Sequence, residues 1–182
     1  MDELIDILKA NGEPTGSTAM KSEAHRKGLF HPTVHIWFYT SNGKILLQKR
    51  AENKDTHPGL WDVSVAGHIG AEEEILDSAL REIAEEIGLL TSEGELQKIG
   101  IFKSVQNHSE SLIDCEFHHT FLSELKVPLA HLTKQESEVD DLKLLSIIQF
   151  ENELHHPDKS KIYVPHSQEY YSVILSEIKK LL

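Results

Sequence analysis

Hydrophobic residues along the chain follow two spacings, and each predicts a different element. Val34-His35-Ile36-Trp37-Phe38-Tyr39 is a β-branched and aromatic run that predicts a strand. Ser41-Asn42-Gly43 then turns the chain into a second run, Lys44–Lys49, so the pair reads as a β-hairpin. His57-Pro58-Gly59-Leu60 breaks the chain before a short strand at Asp62–Ala66. From Glu74 the spacing changes. Leu76, Ala79, Leu80, Ile83 and Ile87 recur at three- and four-residue steps, predicting a helix over Glu74–Ile87 that Gly88 stops. Strands follow around Glu95–Val105, Leu112–Leu122 and Val139–Ile148, the last running into a short helix at Gln149–Leu154. His166–Leu182 closes the chain as a helix with Tyr170, Val173, Ile174 and Ile178 on one face. At the other end, Leu4, Ile5, Ile7 and Leu8 predict a short amphipathic helix over Asp2–Ala10, ended by Asn11-Gly12, and Ser22–Lys27 is a second short polar element. Strands interleaved with helices, with hairpins among them, indicate an α/β or α+β fold. No repeat or Pro/Gly/Ser-rich linker divides the chain. Residues 1–30 therefore read as an N-terminal extension of short helices packed on a domain of residues 31–182, one structural domain overall.

Composition narrows the function. The chain has 182 residues, a formal charge of −12 and one cysteine, Cys115. A single thiol cannot form an internal disulfide, and Met1-Asp2-Glu3-Leu4 carries acids where a secretory signal needs basic residues, so a cytoplasmic protein is expected. There is no run of apolar residues long enough to predict a membrane span. The acidic balance argues against binding a nucleic-acid duplex, and it would repel any polyanionic substrate unless a cation stood between them. A homodimer is compatible with these features, but none of them requires it.

The helix at Glu74–Ile87 carries candidate chemistry on its polar side. Glu82, Glu85 and Glu86 stand at i, i+3 and i+4, so their carboxylates share one face. Repulsion at that spacing costs a few tenths of a kcal/mol per pair, roughly, and a solvated acidic face beside Arg81 is the simplest reading. Hard cations such as Mg²⁺ take carboxylate oxygens and keep substrate phosphates as further ligands. Glu72, Glu73 and Glu74 crowd the helix start, which makes it a poor bare phosphate site. A phosphate would bind here through metal.

Gly67, five residues, Glu73, seven residues, then Arg81-Glu82-Ile83-Ala84-Glu85-Glu86-Ile87-Gly88-Leu89 matches every fixed position of the Nudix box. A chance match of that kind is on the order of one in ten million per chain at average residue usage, so the resemblance to Nudix hydrolases is specific. It implies a Nudix α/β/α sandwich built on a mixed sheet. It also implies that Glu82, Glu85 and Glu86 bind Mg²⁺, or Mn²⁺ in its place, and that one of them or a carboxylate from elsewhere activates water. By the same resemblance Arg81 holds the glutamates through Glu73 or a neighbour, and the Gly67 carbonyl approaches the metal. Glu85, Glu82 and Arg81 are the catalytic candidates.

His25, Gly28-Leu29-Phe30-His31, Leu46-Leu47-Gln48-Lys49-Arg50, Pro58-Gly59-Leu60-Trp61-Asp62 and Gly67-His68 are similar to the isopentenyl-diphosphate isomerase branch of the superfamily. That branch has a metal site of three histidines and two glutamates, which would fall here on His25, His31, His68, Asp114 and Glu116. Glu116 is thereby a further metal candidate, and His68, His31, Arg50 and Asp114 are candidates for binding substrate. Two features depart from the isomerases. Ala66 stands where they need a cysteine, and the box is complete where theirs is degraded. The leading expectation is a Mg²⁺-dependent hydrolase of a nucleoside diphosphate derivative or related small diphosphate. The alternatives are isopentenyl-diphosphate isomerase and a non-catalytic nucleotide-binding regulator. Glu138, in a polar loop, is a further carboxylate candidate. His118-His119 and His155-His156 read as surface or partly buried residues, Trp37 and Trp61 as core or pocket wall, and Cys115 as a buried small hydrophobe.

Overall fold

In the computed structural model, which describes residues 2–182, strand β3 (His31–Thr40) is buried on both faces for most of its length. Its alternate residues therefore feed two cores. Val34, Ile36 and Phe38 pack with Ala79, Ile83 and Ile87 of helix α2 (Ile75–Ile87). Trp37 points the other way, into a core with Phe150 of α3 (Ile147–Leu154) and Tyr170, Tyr171, Ile174 and Ile178 of α4 (Gln168–Lys179). Helices thus cover both faces of one sheet, the α/β/α arrangement expected from the sequence.

The sheet runs β5 (Trp61–Asp62), β4 (Lys44–Arg50), β3, β8 (Leu112–Glu124), β7 (Gln97–Ser109), with β6 (Val65–His68) on β3 and β9 (Val139–Ser146) on β4. It is mixed: β3 and β8 are parallel, and the other pairs are antiparallel. No helix among the described residues is long and apolar enough to cross a membrane.

The hairpin at Ser41–Gly43 forms, but its strands pair only at Tyr39↔Ile45 and Thr40↔Lys44 before they part. Beyond that point β3 takes β6 as its neighbour and β4 takes β5. The expected single strand at Asp62–Ala66 is therefore two strands on opposite prongs of a fork. Ser64, between them, stitches the fork: the Phe38 N–H donates to Ser64 Oγ at 2.8 Å, and Ser64 Oγ donates to the Leu46 carbonyl at 2.5 Å.

The expected helix at Asp2–Ala10 is instead a strand, β1 (Leu4–Leu8), paired with β2 (Pro14–Met20). A short apolar run fits either period, and tertiary contact decides. Here Ile5 is fully buried, bridged to Gly70, and Leu8 is bridged to Phe30. The second short element is helix α1 (Lys21–Lys27), ended by Gly28 in the left-handed region at φ 62°. Helix α2 follows the expected bounds, with Glu74 as its extended N-cap and Gly88 at φ 66° as its stop. In α4 the buried set adds Tyr171 and Leu175, while Val173 is only half-buried.

Candidate functional site

A polar cleft of about 480 Å³ opens where the fork parts. Gly67, on β6, faces α2, and a Cβ there would overlap the Cγ, Cδ and Oε1 atoms of Glu82. The absence of a side chain lets the Glu82 carboxylate lie against the strand. Glu86 is buried beside it. Its Oε2 accepts hydrogen bonds from Gln48 Nε2 at 3.0 Å and from the Ala66 N–H at 3.2 Å. That N–H is available because β6 pairs only with β3. Glu85 stays half-exposed and makes one long contact, 3.4 Å to Arg81. All three glutamates line the cleft.

Arg81 ties this group together. Its Nε and one terminal nitrogen donate to the two oxygens of Glu73 at 3.0 Å each. Its other terminal nitrogen donates to Glu82 at 2.7 Å, and the His68 carbonyl accepts a further bond at 3.1 Å. The guanidinium holds the Glu73 carboxyl down at about 2. Burial, reinforced by mutual repulsion, pushes Glu86 up to about 8, and burial pushes Glu82 up to about 7 against the pull of Arg81.

Raised carboxyl values have a definite consequence for stability. Both groups bind protons more readily in the folded chain than in the unfolded one, where the value is 4.5. Their contribution to stability is full below that value and is lost as pH rises through about 7 and 8 in the metal-free protein. A divalent cation needs the deprotonated form and relieves the repulsion. The gain in melting temperature on adding Mg²⁺ is therefore expected to be larger near pH ~8.5 than near pH ~6. Scanning calorimetry with and without Mg²⁺ checks this; an equal gain at both values would mean that the cation binds elsewhere.

On the opposite face of β6 a second group converges. His31 of β3 pairs in register with Glu116 of β8, and Thr33 with His68 of β6, while α1 brings His25 over them. One ligand atom from each of His25, His31, His68 and Glu116 lies within 4.8 Å of the others. His25 Nε2 and His68 Nε2 are 3.3 Å apart, and Glu116 Oε1 is 3.5 Å from His31 Nε2 and 3.7 Å from His68 Nε2. His31 Nε2 is buried without a hydrogen-bond partner among the described residues. Burial keeps His25 and His68 below the usual histidine range, in the neutral form that ligates. Burial works against the Glu116 carboxylate, but His31, His118 and His68 outweigh it and hold it well below the usual range. Three imidazoles and a carboxylate suit a borderline divalent ion, and the orphaned His31 nitrogen fits one. Asp114 lies beside the group rather than in it. Its Oδ1 is 3.8 Å from His25 and its Oδ2 is 2.9 Å from His108 Nε2.

Arg50 lines the cleft but is engaged, donating to Thr56 O and Oγ1 and pairing with Asp62 at 3.2 Å. Glu138 also lines it and is ion-paired with Lys54. Cys115 is buried on the other side of β8 from Asp114 and Glu116, and burial pushes its thiol up. Trp37 is core, and Trp61 is capped by Lys143 at 3.8 Å. The sequence reading missed Lys21, Lys54, Gln48 and Asp62 as cleft or glutamate-contacting residues. It also set aside His118, which lines the cleft with His35 and His166. The alternation Asp114-Glu116-His118 on one strand was the signal that could have found it.

Comparison with known proteins bears on this geometry. A NUDIX domain model matches residues 29–164. Nudix hydrolase 3 of Arabidopsis thaliana is 36% identical over 169 residues, covering 91% of this chain but only 22% of that protein's length. Isopentenyl-diphosphate Delta-isomerase 2 of Photorhabdus laumondii is 32% identical over 149 residues, 81% of this chain and 80% of the relative. A crystal structure from Deinococcus radiodurans superposes with a TM-score of 0.71 at 15% identity, covering 94% of this chain and 98% of that one, a likeness of fold.

Proposed function

The chain belongs to the NUDIX domain family, and from that premise we propose that it is a hydrolase acting on pyrophosphate bonds, which cleaves a nucleoside diphosphate derivative or a related small diphosphate in a Mg²⁺-dependent reaction, with Mn²⁺ able to replace Mg²⁺. The observation that carries the reading is the set of Glu82, Glu85 and Glu86 turned into one cleft against Gly67. A divalent cation held there would polarise phosphoryl oxygens and make a water more acidic. The chain's own residues do the rest. Glu85, the least engaged of the three, takes the proton of the attacking water. The water oxygen adds to one phosphorus, the bridging P–O bond breaks, and the departing phosphate keeps the electron pair. Arg81 fixes Glu82, and Gln48 with the Ala66 N–H fixes Glu86. Lys21 brings positive charge to the phosphate oxygens, and Lys54 and Arg50 add to it by exchanging Glu138 and Asp62 for phosphate. His25, His31, His68 and Glu116 would hold a second cation, with Asp114 positioning His25.

The histidine group and the isomerase relative favour a second reading, isopentenyl-diphosphate isomerisation. Protonating an alkene needs an acid beside the Gly67-His68 pair, and Ala66 offers none. The test of the hydrolase reading is release of phosphomonoester or phosphate products, read by phosphorus NMR, from a panel of nucleotide sugars, dinucleotides and small alkyl diphosphates, with Mg²⁺ and with a chelator. Release from at least one compound, abolished by chelation, is expected; release from none would overturn it.

A further inference from the structure

The face of the sheet that carries the histidine group continues beyond it as a polar row. Strand alternation places Asp114, Glu116 and His118 on the same face of β8. The β3 register sets Glu116 opposite His31 and His118 opposite Thr33, so His118 stands one step past the Glu116 row. Its Nδ1 is 2.8 Å from Thr33 Oγ1, and its ring stacks on His35 with centroids 3.9 Å apart. His118 is 3% exposed, lines the cleft, and its Nε2 has no hydrogen-bond partner among the described residues. Gln106 stands on β7 opposite Asp114, lines the cleft as well, and shares a smaller adjoining hollow with His118. Its Oε1 is 2.6 Å from His57 Nε2, which leaves its amide nitrogen as a spare donor. Ala66 is an apolar member of the cleft wall, with Val164, and stands beside the glycine that accommodates Glu82.

We propose that His118 and Gln106 form a specificity subsite for a hydroxyl-bearing organic group, of the ribosyl or glycosyl kind, attached to the diphosphate. The inference rests on the hydrolase reading above and names the class of substrate that this site prefers. Whichever of Thr33 Oγ1 and His118 Nδ1 donates, the His118 Nε2 pairs with a ligand hydroxyl, which can both donate and accept, and the Gln106 amide donates to a second oxygen. An alkyl group in the same place would cover the imidazole nitrogen and leave it unpaired, which is the situation that lets a polar site reject an analogue lacking the hydroxyl.

A matched pair of probes tests this: ribose 5-diphosphate and n-pentyl diphosphate, with five carbons each and the same charged end. Their affinities in Mg²⁺ are measured by calorimetry, and their hydrolysis by phosphate release. Wild type is expected to favour the ribosyl compound by at least about tenfold. His118→Phe should remove most of that preference by weakening the ribosyl compound, Gln106→Leu should reduce it, and His118→Gln, which keeps a donor, should retain it. Equal or tighter binding of the pentyl compound by wild type would overturn the subsite, as would an unchanged ratio in His118→Phe. Failure of the hydrolase reading would look different: neither compound would be cleaved, while the affinity ratio would still report on His118.

Discussion

Glu85→Gln lowers the cation-dependent hydrolysis rate by about 10²–10⁴-fold, the range that a positioned general base contributes. The side chain is 50% exposed and its one polar contact among the described residues is 3.4 Å long, so little of the structure depends on it. The melting temperature is therefore expected to stay within a few degrees of wild type, roughly, as for other surface substitutions. The two neighbours behave differently. Glu82 is bonded to Arg81, and Glu86 to Gln48 and the Ala66 N–H, so substitutions there disturb packing and chemistry together. Steady-state rates and calorimetry on the same sample of the Glu85 variant separate the two effects. A rate within threefold or so of wild type would remove Glu85 from the chemistry and move the base to another carboxylate, with Glu138 next in line at the cleft wall.

Gly67→Ala is expected to be the most damaging single-methyl change in the protein. A backbone constraint is not the reason, since Gly67 is not among the glycines with positive φ. The added carbon would occupy the space of the Glu82 carboxylate. Glu82 must then rotate away, losing its bond to Arg81, or β6 must shift from β3. Overpacking of this kind costs about 1–3 kcal/mol. If Glu82 holds the cation as proposed, displacing its carboxylate adds a loss of about 10–100-fold or more in cation affinity or activity. Mg²⁺ titration and thermal unfolding of Gly67→Ala check both parts. A variant with wild-type cation affinity would show that the Glu82 carboxylate does not need its place against β6.

The contrast between these two positions shows what could be read from the chain alone. The three glutamates were legible because a helix places i, i+3 and i+4 on one face without help from the rest of the fold. The spacing from Gly67 to Arg81 also survives folding, since only a short turn and the start of α2 lie between. The fork was not legible. It depends on β3 and β4 exchanging partners beyond Tyr39 and Ile45, a matter of register between distant segments. Leu4-Ile5-Asp6-Ile7-Leu8 was misread for a related reason, because a five-residue apolar run satisfies both periods until a partner strand is known. The pair His118-His119 reads as surface or partly buried residues in the sequence, because nothing local marks either as a site residue. The position of His118 is decided by Thr33, 85 residues earlier, and by His35 stacked beneath it.

The two metal-suited groups lie on opposite faces of the short strand β6, whose Gly67 faces Glu82 while His68 joins the histidines. Arg81 bonds both Glu82 and the His68 carbonyl, so it links the two groups mechanically. By the resemblance drawn from the sequence, the histidine group is the isomerase-like feature and the complete box the hydrolase-like one. On that reading Ala66, one residue before Gly67, is the position at which the two proposed chemistries would part.

The most direct test is a single labelling measurement. The protein is incubated with Mg²⁺ and a diphosphate panel that includes isopentenyl diphosphate, in water enriched in both deuterium and oxygen-18, and the products are read by mass spectrometry. Cation-dependent hydrolysis predicts oxygen-18 in a phosphate or phosphomonoester product of at least one compound and no deuterium on carbon in any. Deuterium entering isopentenyl diphosphate, with no oxygen-18 in phosphate, would contradict it.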